Sequence, residues 1–339
     1  MKVDAAILVD DPREAGAVAQ RLEAAGYDGA FTFEGRHDPF LPLCVAAEHT
    51  QRIELMTAIA VGFARNPMTL AQLGYDLQLH SHGRFVLGLG SQIRAHIEKR
   101  FGAEWSRPAA RMRELVQAIR AIWATWQHGA KLEFRGDFFQ HTLMTPVFDP
   151  GPNPHGLPRI FVAGVGPKMT AIAGEVGDGY FVHPFHTRGF LEATTLPALA
   201  RGFARSGRAR DRFEVSCQVI VAAGDDDATL ERAMQGAKAQ ISFYASTPAY
   251  RPVLESLGRG ELQPELNALS KRGAWLEMAG RIDDALLGEI AVVGRRDEIA
   301  GKLQARCAGV ADRVSIVSPF APDPELWADV VSALHLQAP

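Results

Sequence analysis

Glu34, Arg36, His37 and Asp38 crowd into five positions of the stretch FTFEGRHDPF, directly after a short apolar run and just before a proline. A carboxylate and an imidazole at the end of a buried strand can take or give a proton while a hydride moves nearby. Glu34 and His37 are therefore the candidate catalytic pair. The same residues would also serve as a solvated loop with a helix cap.

Two glycine turns follow. In GRFVLGLGSQIRAHIEKRFG, Gly88 and Gly90 let backbone amides approach a ligand, and Ser91, Gln92 and His96 come next, at the entry to a helix. A glycine strand exit with a serine cap accounts for that spacing equally well. In AGVGPKM, the run Gly164, Val165, Gly166, Pro167, Lys168 brings bare amides, a helix N-terminus and one cation together. That combination suits a phosphate. His183 and His186 (HPFH), like His80 and His82, could form a metal pair, but catalytic zinc takes three protein ligands and no HExxH helix accompanies them. No metal site is expected, and His183, at a strand end, is assigned to the pocket wall as a substrate contact. The chain has no G-x-S-x-G, and Cys44, Cys217 and Cys307 lie in no nucleophile motif, so covalent hydrolysis is not indicated.

These residues need a scaffold that gathers strand ends. Short β-rich apolar runs alternate with amphipathic stretches: strands are expected at residues 3–9, 30–33, 53–61, 84–89, 159–163, 179–183, 213–222 and 313–317. Helices are expected at 12–25, 41–49, 67–79, 168–175, 190–203, 229–243 and 298–307. Parallel strands need crossover helices, and eight such units close into a (β/α)8 TIM barrel with its chemistry on one rim. Residues 129–155, aromatic and then rich in Pro and Gly, read as a hairpin and crossing loop after the fourth strand. Residues 246–289 read as a mostly helical insertion after the seventh. Neither looks like a separate domain, so residues 1–339 are expected to form one. A doubly wound sheet would place G-x-G-x-x-G after its first strand, where this chain has VDDPREAG.

At 339 residues, 47% of them hydrophobic, the chain can bury a large core. Its 36 basic and 39 acidic residues are well mixed, which argues against nucleic acid as a partner. No apolar run approaches the roughly 20 residues that cross a bilayer. The start, MKVDAAILVDDPREAG, lacks the basic and long apolar regions of a signal peptide, and a cytoplasmic protein is expected.

Taken together, VDAAILVDD, EGRHDPFLPL, TAIAVGFARNPMTLAQ, GRFVLGLGSQ, AGEVGDG and VVGRRDEIAGKL resemble the bacterial luciferase-like monooxygenases, and within them the branch that uses the deazaflavin F420. The resemblance covers nearly the whole chain. It implies a barrel with a cofactor ring over the strand ends, commonly in a homodimer. It also implies a non-proline cis peptide in a bulge of the third strand, which falls at Ala58-Ile59. Ser91 and His96 would then meet the cofactor's ring or tail, and Gly164 to Lys168 its phosphate, with Gly90 beside them and Glu34 and His37 facing the redox centre. FMN-using relatives often carry a Gly-Ser-Ser turn where this chain has AGVGPKM, so F420 is the expected cofactor and FMN the alternative. In F420 sugar-phosphate dehydrogenases the acidic residue and histidine are adjacent, whereas Gly35 and Arg36 separate them here. The expected function is hydride transfer between F420 and a small organic substrate. The rival readings are an FMN-dependent monooxygenase using O2, and a barrel without redox chemistry.

Overall fold

The computed structural model describes residues 1–318 and 325–336. Eight parallel strands close on themselves: β1 (Lys2–Ala6), β2 (Gly29–Thr32), β3 (Glu54–Thr57), β4 (Phe85–Gly90), β5 (Arg159–Gly164), β6 (Gly179–Val182), β7 (Glu214–Gly224) and β8 (Arg313–Val317). The ring is completed where Lys2 of β1 pairs with Arg313 of β8, giving a (β/α)8 barrel surrounded by helices. Every residue of β2, β4 and β6 is buried, because one face fills the barrel and the other lies under helices. Local signals set the boundaries. Asn66 caps the helix Pro67–His80 by accepting from Thr69 N–H at 2.9 Å, with Pro67 at its first position.

Three features differ from the spans read from periodicity, the first of them at the bulge that the resemblance implies. The apolar run 53–61 is not one strand: it breaks after Thr57, passes through a cis Ala58-Ile59 peptide and resumes as Ala60–Val61 against β4. The 21-residue helix Pro108–His128 buries Leu115, Ile119, Ile122 and Trp126 at helical spacing and stops at Gly129, whose φ is +66°. A further parallel strand, Val292–Arg295, pairs with the overhanging end of β7.

The two rim insertions fall where expected. After β4, Phe134–Arg135 and Gln140–His141 form a small antiparallel hairpin. Its turn is held by Glu114, whose carboxylate accepts from the N–H groups of Asp137, Phe138 and Phe139 at 2.9, 2.7 and 2.6 Å. After β7, the helices Arg251–Ser256, Leu262–Lys271, Trp275–Gly280 and Asp284–Ile290 build a second apolar cluster, with Leu254, Leu266, Met278 and Leu287 packed about Ile241.

Ion pairs close the N-terminal end of the barrel. Arg313, with no exposed side-chain surface, holds Asp4 through two bonds of 2.6 and 2.8 Å and also reaches Glu54 and Glu214. Arg159 bridges Glu54 and Glu214 at 2.7 Å each. Gly29 leaves room for this cluster, since a β-carbon there would stand 2.3 Å from Asp4 Oδ1. One layer up, Phe31, Met56, Val86, Phe161 and Phe181 plug the interior. With that end closed by ion pairs and the middle plugged, the C-terminal mouth is where a barrel of this kind carries its chemistry.

Candidate active site

The mouth is organised around the break in the third strand. Three hydrogen bonds staple it to the end of β2: Ala58 N–H to Thr32 O at 2.7 Å, Glu34 N–H to Ile59 O at 3.0 Å, and Val61 N–H to the Glu34 carboxylate at 2.6 Å. The same carboxylate oxygen accepts from Arg65 Nη1 at 2.6 Å, and Arg65 Nη2 reaches Asp38 at 2.9 Å. The Glu34 side chain is only 7% exposed. Charge-assisted bonds of this kind fix a carboxylate in place, so Glu34 sits as the clamp of the bulge. Arg65, three residues after Gly62, is the partner that spacing alone does not reveal.

His37 lies at the outer rim, 55% exposed, with Nε2 3.9 Å from Asp10 Oδ1 on the loop after β1. Arg36 approaches the same carboxylate at 3.8 Å. Thr32 Oγ1 donates to Pro39 O, and Asp38 accepts from Phe40 N–H, which closes the loop between Glu34 and the next helix. Glu34 and His37 therefore share a loop but occupy different settings, one clamped and one open to water.

Gly88 and Gly90 serve the neighbouring strand. A β-carbon on Gly88 would stand 1.7 Å from Thr57 O, and one on Gly90 would stand 2.8 Å from Ile59 Cγ1 and Cδ1. Their role is to let the bulge lie against β4, a close approach of protein to protein. Ser91 is half-buried, and its hydroxyl donates to Gln92 O; it does not cap the helix Arg94–Lys99, whose N-cap position is Ile93. His96, on that helix, is exposed.

The turn after β5 opens the helix Pro167–Val176. Gly166 is its N-cap and supplies no side-chain cap, so the first-turn amides are left for a ligand. A β-carbon on Gly166 would meet nothing within 4 Å, whereas on Gly164 it would strike Met169. Gly164 O and Gly166 O are turned inward, bonded to Tyr180 OH and Thr170 respectively. Val165 is half-buried, Pro167 and Lys168 are exposed, and Lys168 has no ion pair among the described residues. Bare amides, open space and an unpaired cation fit a phosphate group.

Across the mouth, His183 follows β6. Its ring stacks on Tyr250 with centroids 4.3 Å apart and meets the edge of Tyr244 at 4.7 Å. Both tyrosines belong to the segment after β7, and the run SFYASTPAY was the available signal for them. Burial pushes the His183 pKa down to about 3. Leu8, Phe33 and Ile93, past the ends of β1, β2 and β4, are all more than 40% exposed and give the rim an apolar character. Among the described residues no group of three or more His, Cys, Asp or Glu could hold a metal, and no helix is long and apolar enough to cross a membrane.

Comparison with known proteins identifies the family and the fold. An uncharacterised Mycobacterium tuberculosis protein is 56% identical over 314 residues, covering 93% of this chain and 92% of its own. The F420-dependent glucose-6-phosphate dehydrogenase of Beutenbergia cavernae is 31% identical over 231 residues, 64% of this chain and 66% of that one. Among solved structures, the coenzyme F420 dependent tetrahydromethanopterin reductase of Methanopyrus kandleri superposes with a TM-score of 0.79 at 19% identity, covering 98% of this chain and 97% of that one. The luciferase-like monooxygenase family model matches residues 2–313, and the chain belongs to that family.

Proposed function

We propose that this chain is an F420-dependent oxidoreductase that passes a hydride between the deazaflavin and a small organic substrate. One observation carries the reading: the stapled Ala58-Ile59 bulge and the uncapped helix at Gly166 open onto the same barrel mouth. The first suits a flat ring and the second its phosphate. The F420-dependent relative at 31% identity supports the choice of deazaflavin.

When bound, F420 supplies the hydride carrier. The chain supplies position and charge. Glu34 and Arg65 hold the bulge beneath the ring, and Val165 to Lys168 hold the phosphate. Ser91 and His96 lie on the side where β4 ends and are assigned to the ring or tail. His37, open to water and near Asp10, is placed to exchange a proton with solvent as the substrate oxygen gains or loses one. His183 and its tyrosines form the substrate wall. In this reading the enzyme works in the cytoplasm as a homodimer.

The test is a fluorescence titration of the cofactor-free protein with F420 and with FMN. Tighter binding of F420 by tenfold or more (about 1.4 kcal/mol) supports the proposal. Tighter binding of FMN replaces it with a flavin monooxygenase, and binding of neither removes the redox assignment.

A further inference from the structure

His183 is fixed in orientation as well as in place. Side chains alternate along β6: Phe181 points into the barrel plug and Val182 outward into the main core, so His183 returns to the interior side one step higher, at the mouth. Its Nδ1 accepts the backbone N–H of Phe185 at 3.1 Å. A ring nitrogen that accepts carries no proton, so the neutral ring bears its hydrogen on Nε2. Tyr250 lies 24° from coplanar with the imidazole and Tyr244 at 81°, and Gln240 Nε2 donates to Tyr244 OH at 3.2 Å. These contacts fix the ring plane. Nε2 has no protein partner among the described residues and is not sealed from solvent.

The surroundings keep the ring neutral. The titratable groups beside it are Tyr244 and Tyr250, both pushed up by burial, and His186, pushed down to about 3 by burial and then by Arg306. None of the three is charged at neutral pH. Building on the deazaflavin reading of the same mouth, the geometry points to His183 as a neutral hydrogen-bond donor, its proton locked on Nε2, that selects substrates presenting an uncharged carbonyl oxygen. A substrate carboxylate against this wall would be desolvated, and among the described residues no cation acts on His183, Tyr244 or Tyr250 to offset that cost. Small ketones and aldehydes, with the corresponding alcohols in the reverse direction, are the class that fits.

The experiment uses the full chain labelled with 15N-histidine, with His183→Gln to assign the signal. Long-range proton–nitrogen spectra should show the Nε2–H tautomer unchanged from about pH 8 to about pH 5, whereas an ordinary histidine titrates near 6.5. Acetone, cyclohexanone and acetophenone are then added to cofactor-free protein, beside acetate and benzoate. A shift of Nε2 with at least one ketone and with neither carboxylate is expected. Ketone affinity should fall about tenfold in His183→Ala and less in His183→Gln, which keeps an N–H donor. An Nδ1–H tautomer, a normal titration, or no response to any ketone overturns the assignment. A parallel F420 titration keeps the two readings separate: loss of F420 binding in the wild type removes the cofactor proposal, while the tautomer and ketone shifts judge His183 by themselves.

Discussion

Arg65 and Glu34 form a 2.6 Å ion pair whose carboxylate also receives the N–H of Val61, so one side-chain oxygen ties two stretches of the third-strand region to the end of β2. The Arg65 side chain is 15% exposed, so water cannot readily replace it. Removing the cation alone strands a poorly solvated carboxylate. Arg65→Met should cost about 2–4 kcal/mol of stability, and Glu34→Gln less, about 1 kcal/mol, because the amide oxygen still accepts from Val61. The double variant should be more stable than the sum of the singles predicts, by about 1 kcal/mol. Urea unfolding of the four proteins measures the cycle, and strict additivity would refute the clamp.

Gly88 and Gly90 make a graded pair. On Gly88 an added methyl meets the Thr57 backbone, which cannot give, and Gly88→Ala should fail to accumulate as folded protein. On Gly90 it meets the flexible end of Ile59, and Gly90→Ala should cost about 1–3 kcal/mol by overpacking. Adding Ile59→Val should recover part of the Gly90→Ala loss, read as melting temperature. No recovery would mean that Ile59 is not what the missing β-carbon accommodates.

This pair also shows where the sequence stops being legible. Strand and helix positions followed from local periodicity, because burial of one face imposes a period that any short window displays. The amide-rich turn at Gly164 to Lys168 was equally local. The purpose of Gly90 was not: it is set by Ile59 in the break of the third strand, and glycine before a ligand and glycine before a bulky neighbour look identical in sequence. Glu34 was visible as a strand-end carboxylate, but its role depends on Arg65, which reaches it only because the third strand breaks at Thr57. His183 was legible as a strand-end residue, whereas Tyr244 and Tyr250 reach it through an insertion whose path no spacing rule fixes. The helix Pro108–His128 is a different case, since its period is plain in RMRELVQAIRAIW.

Lys168 should act on ligand binding and not on folding. It is exposed, and without an ion pair among the described residues, so Lys168→Ala should leave the melting temperature unchanged. F420 affinity should fall about tenfold at low ionic strength, as expected for one charge-assisted phosphate contact. The gap between variant and wild type should narrow at about 0.5 M salt, because an exposed cation is screened there. Equal affinity at low salt would remove Lys168 from the phosphate site while leaving the amides of the turn as its candidates.

The floor of the barrel gives a pH dependence with a definite sign. Burial opposes ionisation of Glu214, but Arg159, Arg313 and Lys2 outweigh it and hold its carboxyl at about 2, against an ordinary value of 4.5. Glu54 is lowered for the same reasons, with burial opposing and Arg313 and Arg159 prevailing. A carboxyl whose pKa is lower in the folded state stabilises the fold above its unfolded value and loses that contribution as pH falls through the folded one. Between pH 4.5 and about 2, Glu214 alone should forfeit about 3 kcal/mol. Glu214→Gln cannot lose a charge it does not have. The variant should be less stable than the wild type at pH 7, where Arg159 and Arg313 miss their partner, and the difference should shrink as the wild-type carboxyl protonates. Urea midpoints at about pH 7, 4.5 and 3 follow the two curves. Parallel curves across that range would mean that the floor carboxylates do not govern acid stability.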